Sequence, residues 1–417
     1  MRKLEALRSL LEECQKNIPY YKSIIPEKVS ECSKEEVVSI FESMPILTKG
    51  DIKNNYDQFV SEEISQYSIE KLFDMNKDFK KEYTYNFPTK SVTVEYTSGT
   101  SGVPFASFKT LSERLVLGRS LWKLRNNIYD AKPNDFFYFM HTFKDTLYPF
   151  PFEEPKMQKE KILTELNYLD RSDKSWWHVN GYIMEYYHNY LKNHEHNYQF
   201  YKLEIIENNG SYISDDEKRK YSETFSCKVV NNYGTREIWG IAYDCTEGHL
   251  HVNDDMVILE IVDEDNNIIK KPGDLGNVIV TSLYQKHMPF IRYKPGDYAE
   301  YMNGKCNCGN EAPRIVVYPG RHMIAGTREY GNRVFKNIIV YAGSNYGMKN
   351  YHSISVRQKD TNIFVVNVKG MRENKNDFEN NFTKSALFIT GNDNYRFEFE
   401  YNDLLNPKSL FTTEVKS

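Results

Sequence analysis

The feature that most constrains this chain is a β-prone run that leads directly into a loop of glycine and hydroxyl residues. The run is Val92–Tyr96, and Pro104 closes the stretch. The loop between them contains Thr97, Ser98, Gly99, Thr100, Ser101 and Gly102. Glycines let backbone N–H groups approach an anion closely, and the hydroxyls add donors without bulk. Because residues 112–125 have a helical pattern, the stretch predicts the strand, loop and helix of a phosphate site; the alternative is a solvent-exposed turn.

Two later segments place carboxylates just beyond predicted strands. Asn231–Glu237 combines an aromatic residue, a glycine turn and a glutamate, and Arg292–Asp297 ends in Pro-Gly-Asp. A glutamate after a glycine turn, or an aspartate after Pro-Gly, is usually an ordinary turn residue. Loops at strand ends are also where α/β folds bind ligands. Their order after the hydroxyl loop therefore favours a binding function.

The remaining pattern predicts a mixed α/β chain. Apolar residues at helical spacing predict a helix over residues 1–17, and Thr48 is a candidate N-cap for a helix that follows it. Strands are predicted at 135–141, 257–262, 278–283, 314–318, 362–368 and 395–401. A further helix is predicted at 376–387.

Together, the hydroxyl loop and the two carboxylate segments resemble the adenylate-forming (AMP-binding) superfamily, which activates carboxylates as acyl-AMP. Other motifs resemble its phenylacetate-CoA ligase branch, including CapK-like capsule-biosynthesis relatives; they are Ile18–Tyr21, Pro45–Lys49, Leu250–Val252, Met288–Tyr293 and Cys306–Gly309. The resemblance covers roughly residues 15–335. It implies a large N-terminal α/β domain (1–320) with the AMP site and the acyl pocket, and a small mobile α+β domain (321–417).

The resemblance also implies a role for each matching residue. The loop Thr97–Gly102 would hold the leaving pyrophosphate. Tyr233 would stack on adenine, and Gly234, which follows it, would belong to the same cofactor-binding segment. Thr235 would contact the α-phosphate, and Glu237 would bind Mg²⁺. Asp297 would accept hydrogen bonds from the ribose hydroxyls, and Arg321 would lie near the ribose. Lys408 is the candidate for the late catalytic lysine, although a surface lysine is an equal alternative.

Two departures from the superfamily pattern allow for weak adenylation or an altered second half-reaction. Phe105 follows Pro104 where relatives often carry a lysine, so one phosphate cation is absent. His322 and Met323 follow Arg321 where relatives usually carry an acidic residue.

The acyl pocket is expected between the phosphate loop and Tyr233, as is usual in the superfamily. The candidates there are His141, Phe143, Trp176, Trp177 and His178. Tryptophans at this density are more often core residues. Aromatic residues in the pocket permit an aryl or arylacetic acid but do not identify it.

A metal site is predicted from two pairs of ligands. Cys306 and Cys308 flank one residue, and Cys245 lies six positions before His251, with His249 as an alternate imidazole. A Cys₃His set is a closed tetrahedral zinc shell without a catalytic position, so it predicts a structural clip. Free buried thiols are the alternative. The other cysteines, Cys14, Cys32 and Cys227, are expected to pack.

Length and net charge limit the number of domains and the classes of function that the chain can have. A chain of 417 residues predicts two domains, and a net charge of −4 with a pI near 6.3 argues against nucleic-acid binding as the main function. No apolar run approaches the ~20 residues of a membrane span, and Met1–Glu5 leads into an amphipathic helix, so a cytoplasmic protein is expected.

Together with the predicted zinc site, the resemblance therefore implies an ATP-dependent acid ligase that uses Mg²⁺, contains structural Zn²⁺ and transfers the acyl group to a thiol such as coenzyme A. One alternative is acyl transfer to an amine or hydroxyl in polysaccharide or natural-product biosynthesis. Another is a nucleotide-binding scaffold without catalysis. Branch members are often homodimers, so a homodimer is one possible assembly.

Overall fold

The computed structural model describes most of the chain in separate stretches. These are residues 2–65, 82–86, 91–96, 105–132, 134–135, 137–140, 174–179, 202–210, 213–318, 353–369, 374–402 and 411–414, with individual residues within 163–200, 324–342 and at 371. The chain divides into two compact units. The first contains 1–132 and 232–317, and the second contains 133–231 and 318–417. The expected domain boundary at 320/321 stays a prediction.

The first unit begins with short helices. They are α1 (Arg2–Asn17), α2 (Pro19–Lys22), α3 (Lys34–Ser43), α4 (Lys49–Lys53), α5 (Tyr56–Phe59) and α6 (Glu62–Ser65). The predicted N-terminal helix is confirmed, and it buries Leu7, Leu10, Leu11 and Cys14. Thr48 caps α4 as predicted, because its side chain accepts a hydrogen bond from the N–H of Asp51.

The main sheet of the first unit is largely antiparallel. Its strands are β1 (Leu47–Thr48), β9 (Ala242–Asp244), β10 (Leu250–Val252), β11 (Val257–Val262), β12 (Gly276–Ser282), β13 (Tyr293–Lys294), β14 (Tyr298–Tyr301) and β15 (Arg314–Tyr318). They lie in the order β1-β13-β12-β14-β15-β10-β9, and β11 also pairs with β12. Strand β8 (Lys228–Tyr233) ends in this unit, where Tyr233 pairs with Ala242 of β9. The predicted strands over 257–262, 278–283 and 314–318 are confirmed.

A three-stranded antiparallel sheet carries the segment that contains the hydroxyl loop. It consists of β2 (Glu82–Asn86), β3 (Ser91–Tyr96) and β4 (Ala106–Thr110), and helix α7 (Leu111–Tyr129) follows it. The predicted strand and helix on either side of the loop are confirmed. Strand β4 between them was not predicted. Loop residues 97–104 lie outside the described residues.

The second unit contains parallel strands and a separate C-terminal sheet. Strands β5 (Phe137–Met140), β6 (Ser175–Val179) and β7 (Leu203–Asn209) pair in parallel, and helix α8 (Asp215–Phe225) follows β7. The C-terminal sheet has the order β18-β17-β16-β19. Its strands are β16 (Ser353–Asp360), β17 (Ile363–Lys369), β18 (Arg396–Asn402) and β19 (Phe411–Glu414), with helix α9 (Lys375–Thr390) between β17 and β18.

Each group of strands in the second unit packs around an apolar cluster. Trp177, Tyr221 and Phe225 belong to the first cluster, and Phe335, Phe364 and Phe382 belong to the second. The predicted elements over 135–141, 362–368, 376–387 and 395–401 are confirmed. Among the described residues, no helix is both long enough and apolar enough to cross a membrane.

Candidate nucleotide site and metal centre

The loop after β8 is tightly turned by two glycines. A Cβ atom on Gly234 would lie 2.8 Å from the backbone nitrogen of Gly240, so only glycine fits there without a shift. Thr235 closes the turn twice: its N–H donates to the carbonyl of Ile238 at 2.8 Å, and its Oγ1 accepts from the N–H of Ile238 at 3.0 Å. The turn places Glu237 inside the first unit.

Glu237 is a buried carboxylate with two direct partners. Its side chain is 3% exposed, its Oε1 lies 2.7 Å from Nζ of Lys49, and the hydroxyl of Tyr293 donates to the same oxygen at 3.0 Å. Gln285 Nε2 donates to the backbone carbonyl of Glu237 at 2.8 Å. Burial by itself raises the pKa of Glu237, but Lys49 and Tyr293 outweigh it, so the pKa lies below its ordinary value of 4.5. Glu237 is therefore ionised at neutral pH.

Lys49 reaches this carboxylate from the first residue of α4. The Thr48 cap fixes the start of that helix, and the Lys49 side chain remains 27% exposed. Its Nζ also lies 5.2 Å from the ring centroid of Phe105. Sequence reasoning included Lys49 in a motif but missed it as a partner of Glu237. Only the motif Pro45–Lys49 could have singled it out, because nothing local connects the two segments.

Tyr233 and Asp297 form the second polar pair of the site. The hydroxyl of Tyr233 donates to Oδ2 of Asp297 at 3.0 Å. Asp297 follows the turn at Gly296, whose φ is +95°, and its carbonyl accepts from the N–H of Val278 at 2.9 Å. Burial and the Asp297 carboxylate raise the pKa of Tyr233 well above its ordinary value of 10. An aromatic ring beside an acceptor carboxylate suits a nucleoside, whose base stacks and whose hydroxyls donate.

The predicted metal ligands also come together in the first unit. One donor atom from each of Cys245, His251, Cys306 and Cys308 lies within 4.8 Å of the others. Sγ of Cys245 is 3.7 Å from Sγ of Cys306, and Sγ of Cys308 is 3.4 Å from Nε2 of His251. Zn–S bonds of about 2.3 Å in a tetrahedron put two sulfurs about 3.8 Å apart. The spacing therefore fits zinc.

Local hydrogen bonds and strand pairing position the side chains of this cluster. In the β9–β10 hairpin the N–H of Cys245 donates to the carbonyl of His249 at 2.9 Å, and β10 pairs with β15 so that His251 lies opposite Arg314. Nδ1 of His251 is 2.9 Å from the carbonyl of Ala312. A hydrogen bond there holds the proton on Nδ1 and turns Nε2 toward the thiols, as in zinc sites with an oriented imidazole.

The thiols have unequal pKa values. Desolvation raises the pKa of Cys306, but hydrogen bonds from the Cys308 N–H and from His249 outweigh it and lower the pKa to about 5. Burial and the neighbouring Cys306 and Cys245 sulfurs raise the pKa of Cys308 to about 11. One thiolate is therefore present at neutral pH, which is the form that binds a metal.

No protein-family model matches the chain, and no curated protein sequence matches it. Solved protein structures, in contrast, do match this chain. A postadenylation complex of 2-hydroxyisobutyryl-CoA ligase with 2-HIB-AMP aligns at a TM-score of 0.63 and 14% identity, over 99% of this chain and 88% of that one. An open conformation of the same ligase with 2-HIB-AMP and CoA aligns at a TM-score of 0.57 and 13% identity, over 100% and 90%.

This chain has the adenylate-forming ligase fold. The α/β fold class predicted from the sequence is confirmed over nearly the whole length of the chain. The placement in the phenylacetate-CoA ligase branch stays a prediction.

The expected acyl-pocket residues fall in the second unit. Trp176 and Trp177 are fully buried. Trp176 donates to Oε2 of Glu207 at 3.1 Å, while the ring of Trp177 packs edge-on against Tyr187 and Phe225. His178 lies 3.2 Å from Oε1 of Glu207. Their assignment to an acyl pocket stays a prediction.

Several predicted site residues lie outside the described residues. They are Thr97, Ser98, Gly99, Thr100, Ser101, Gly102, His141, Phe143, Arg321 and Lys408. Their roles stay predictions.

Proposed function

We propose that this chain is an ATP-dependent acid ligase. The observation that carries the proposal is the hydrogen bond between Tyr233 and Asp297, because it joins the two predicted nucleotide-binding segments at one place. The buried, ionised Glu237 follows Tyr233 in the same turn and adds the carboxylate that the chemistry needs. The adenylate-forming fold supports the same reaction class.

In the first half-reaction a carboxylate oxygen of the acid attacks the α-phosphorus of ATP. The bond from that phosphorus to the bridging oxygen breaks, and pyrophosphate leaves with its electron pair, giving acyl-AMP. In the second half-reaction a thiolate, such as that of coenzyme A, attacks the acyl carbon and AMP leaves. Both steps bring anions together, so positioning and charge stabilisation are the main tasks of the protein.

The residues of the first unit divide these tasks. The Tyr233 ring stacks on adenine and the Asp297 carboxylate accepts from the ribose hydroxyls. Thr235 accepts a hydrogen bond from Ile238 through Oγ1, so its hydroxyl proton can donate to the α-phosphate. The ammonium of Lys49 adds positive charge beside Glu237.

Glu237 is the residue that would hold Mg²⁺. Mg²⁺ commonly binds proteins through one or two carboxylates together with substrate phosphates, so a single buried carboxylate is a sufficient protein ligand. The ion supplies charge neutralisation at the phosphates.

We also propose that Cys245, His251, Cys306 and Cys308 hold a structural Zn²⁺. The donor set is complete with four ligands, and the orienting carbonyl of Ala312 supports zinc over free thiols. The ion would tie the β9–β10 hairpin to the segment between β14 and β15.

The experiment that tests the ligase proposal is pyrophosphate release from ATP and Mg²⁺ across a panel of aryl, arylacetic and short aliphatic acids. Hydroxylamine serves as the acceptor, and coenzyme A is withheld at first. We expect acid-dependent release and a matching hydroxamate, and then thioester formation when coenzyme A replaces hydroxylamine. ATP binding without release for any acid would contradict the proposal and favour a nucleotide-binding scaffold. Activation of an acid that yields an amide or ester, but no thioester, would show that the acyl acceptor is an amine or a hydroxyl and not a thiol.

A further inference from the structure

A fully buried ion pair lies in the hairpin formed by β3 and β4. Nζ of Lys109 is 3.0 Å from Oε2 of Glu95, and both side chains are 0% exposed. Glu95 lies opposite Ser107 in the antiparallel register, so Lys109 is the diagonal neighbour of Glu95 on the same face. Lys109 also donates to Oγ of Ser107 at 2.9 Å.

The pair also forms hydrogen bonds with residues that precede and follow Glu237 in the sequence. Nζ of Lys109 donates to the carbonyl of Arg236 at 2.7 Å, and Nε1 of Trp239 donates to Oε2 of Glu95 at 3.1 Å. An ammonium group has three protons, and here they match Glu95, Ser107 and Arg236. The residue before Glu237 and the residue two positions after it are therefore both held by the hairpin.

A second cation supports this arrangement from α7. The guanidinium of Arg114 lies 5.3 Å from the ring centroid of Trp239, and its Nη1 donates to Oγ1 of Thr93 at 3.0 Å. The indole of Trp239 is thus held between Arg114 and Glu95. This contact fixes the far side of the Glu237 turn.

Stability alone does not explain a buried Lys–Glu pair in a hairpin. Removing two charges from water costs free energy, and well-packed apolar side chains of similar size often replace such pairs without loss of stability. Apolar side chains could not, however, bond to the Arg236 carbonyl or the Trp239 indole. Geometric specificity is what the charged pair adds.

We propose that Lys109 and Glu95 are positioning residues that fix Glu237 relative to the β3–β4 hairpin. The pair holds the turn that contains the proposed Mg²⁺ ligand against strands β3 and β4. The inference rests on the proposed ligase function. A small displacement of a group that acts on the substrate phosphates lowers the rate of the chemical step more than it weakens binding.

The decisive variant is the double apolar replacement Glu95→Leu with Lys109→Met. Glu95→Leu alone leaves the Lys109 ammonium buried without a carboxylate, and Lys109→Met alone leaves Glu95 with only the Arg114 guanidinium, whose Nε lies 3.8 Å from Oε1 of Glu95. We therefore expect a lower unfolding midpoint in each single variant, and the double variant should regain most of that loss. We expect kcat for acid-dependent pyrophosphate release to remain at least about tenfold below the wild type in the double variant, with KM for ATP changed less than about threefold. Recovery of kcat together with the unfolding midpoint would overturn the proposal, because it would make the pair purely structural.

A milder variant covers the case in which the double variant does not fold. Trp239→Phe removes only the indole donor to Glu95 and keeps an aromatic ring against Arg114. We expect kcat to fall about tenfold or more, in line with the loss of one hydrogen bond to a charged group, and the unfolding midpoint to fall no further than in the control variant below. An unchanged kcat would overturn the proposal.

The matched control is Glu113→Gln. Glu113 is also a buried carboxylate, but its hydrogen bonds go to Thr110, Lys286 and His287. We expect this variant to lose stability while kcat stays within about twofold of the wild type, well below the tenfold change expected when the hydrogen bond from Trp239 to Glu95 is lost.

Amide hydrogen exchange separates this proposal from the ligase proposal. We expect exchange over residues 234–240 to be at least about tenfold faster in the double variant, while β11 and β12 stay unchanged. This readout needs no activity, so a wild type that releases no pyrophosphate would contradict the ligase function alone. Unchanged exchange over 234–240 would overturn the positioning role whatever the activity.

Discussion

Lys49 and Glu237 form an ion pair of 2.7 Å between the first residue of α4 and the turn after β8. The pair explains how a carboxylate that is almost fully buried stays ionised, and it directs one oxygen of Glu237 to Lys49 and Tyr293. Phe105 occupies the position where the superfamily pattern often has a lysine, and the Lys49 ammonium lies 5.2 Å from its ring centroid. Lys49 thus brings positive charge close to the position where the loop lacks it.

Glu237→Gln should reduce acid-dependent pyrophosphate release at least about a hundredfold at saturating ATP. The amide keeps the shape of the side chain but removes the negative charge and one hard oxygen ligand for Mg²⁺. The measurement is kcat for pyrophosphate release across a range of Mg²⁺ concentrations, with Glu113→Gln as the control for the loss of a buried carboxylate. Turnover at the wild-type level would show that Glu237 does not hold the ion.

Lys49→Met should destabilise the protein by about 2 kcal/mol at neutral pH, because a buried carboxylate loses a charged hydrogen-bond partner. The pH dependence of this loss of stability tests whether its cause is electrostatic. The pKa of Glu237 lies below 4.5, so its contribution to stability is complete above pH 4.5 and is lost as the pH falls through the lower folded-state pKa. Denaturant unfolding measured from pH 3 to pH 7 should therefore give a smaller difference between variant and wild type at acidic pH. A constant difference over that range would exclude the electrostatic explanation.

Asp297→Asn should weaken ATP binding about tenfold, or about 1.4 kcal/mol, and leave the unfolding midpoint nearly unchanged. The ribose hydroxyls would lose a charged acceptor. Isothermal titration with ATP measures the effect, and the chain supplies a matched control. Pro272-Gly273-Asp274 repeats the sequence Pro-Gly-Asp with a positive φ of 84° at its glycine, but Asp274 is paired with Lys271. Asp274→Asn should leave ATP binding unchanged, and equal effects of the two substitutions would contradict the assignment.

The repeated Pro-Gly-Asp tripeptide also shows what the sequence could and could not predict. Local signals were sufficient for helix α1, the Thr48 cap and the strand and helix around the hydroxyl loop, because periodicity and capping act over a few residues. Only the resemblance distinguished Asp297 from Asp274. The contact of Asp297 with Tyr233 depends on strand pairing far apart in the chain.

Long-range partners were the part that sequence reasoning missed. Lys49, Tyr293 and Lys109 meet the segment around Glu237 only through the packing of separate strands and helices. No spacing rule links them. The grouping of Cys245, His251, Cys306 and Cys308 was predictable because each pair lies close in sequence and the chemistry of zinc limits the choice of donors.

Lys408→Ala tests the late catalytic lysine, which lies outside the described residues. If Lys408 stabilises charge in the adenylation transition state, kcat for pyrophosphate release should fall more than about tenfold, or about 1.4 kcal/mol. A smaller loss would make Lys408 an ordinary surface residue. Lys384→Ala on helix α9 is the control for removing one positive charge.

The purified protein should contain about one Zn²⁺ per chain, because four ligands form a complete tetrahedral shell. Metal analysis measures zinc occupancy, and thermal unfolding scans with and without chelator measure the effect of zinc on the unfolding midpoint.

We expect His251→Ala to lose the metal and to lower the unfolding midpoint, since Nε2 of His251 lies 3.4 Å from Sγ of Cys308. His249→Ala is the matched control, because its Nδ1 lies 3.5 Å from Sγ of Cys306 although it is not in the predicted ligand set. Zinc loss in His249→Ala but not in His251→Ala would exchange the two imidazoles, and a metal-free wild type of unchanged stability would exclude the site.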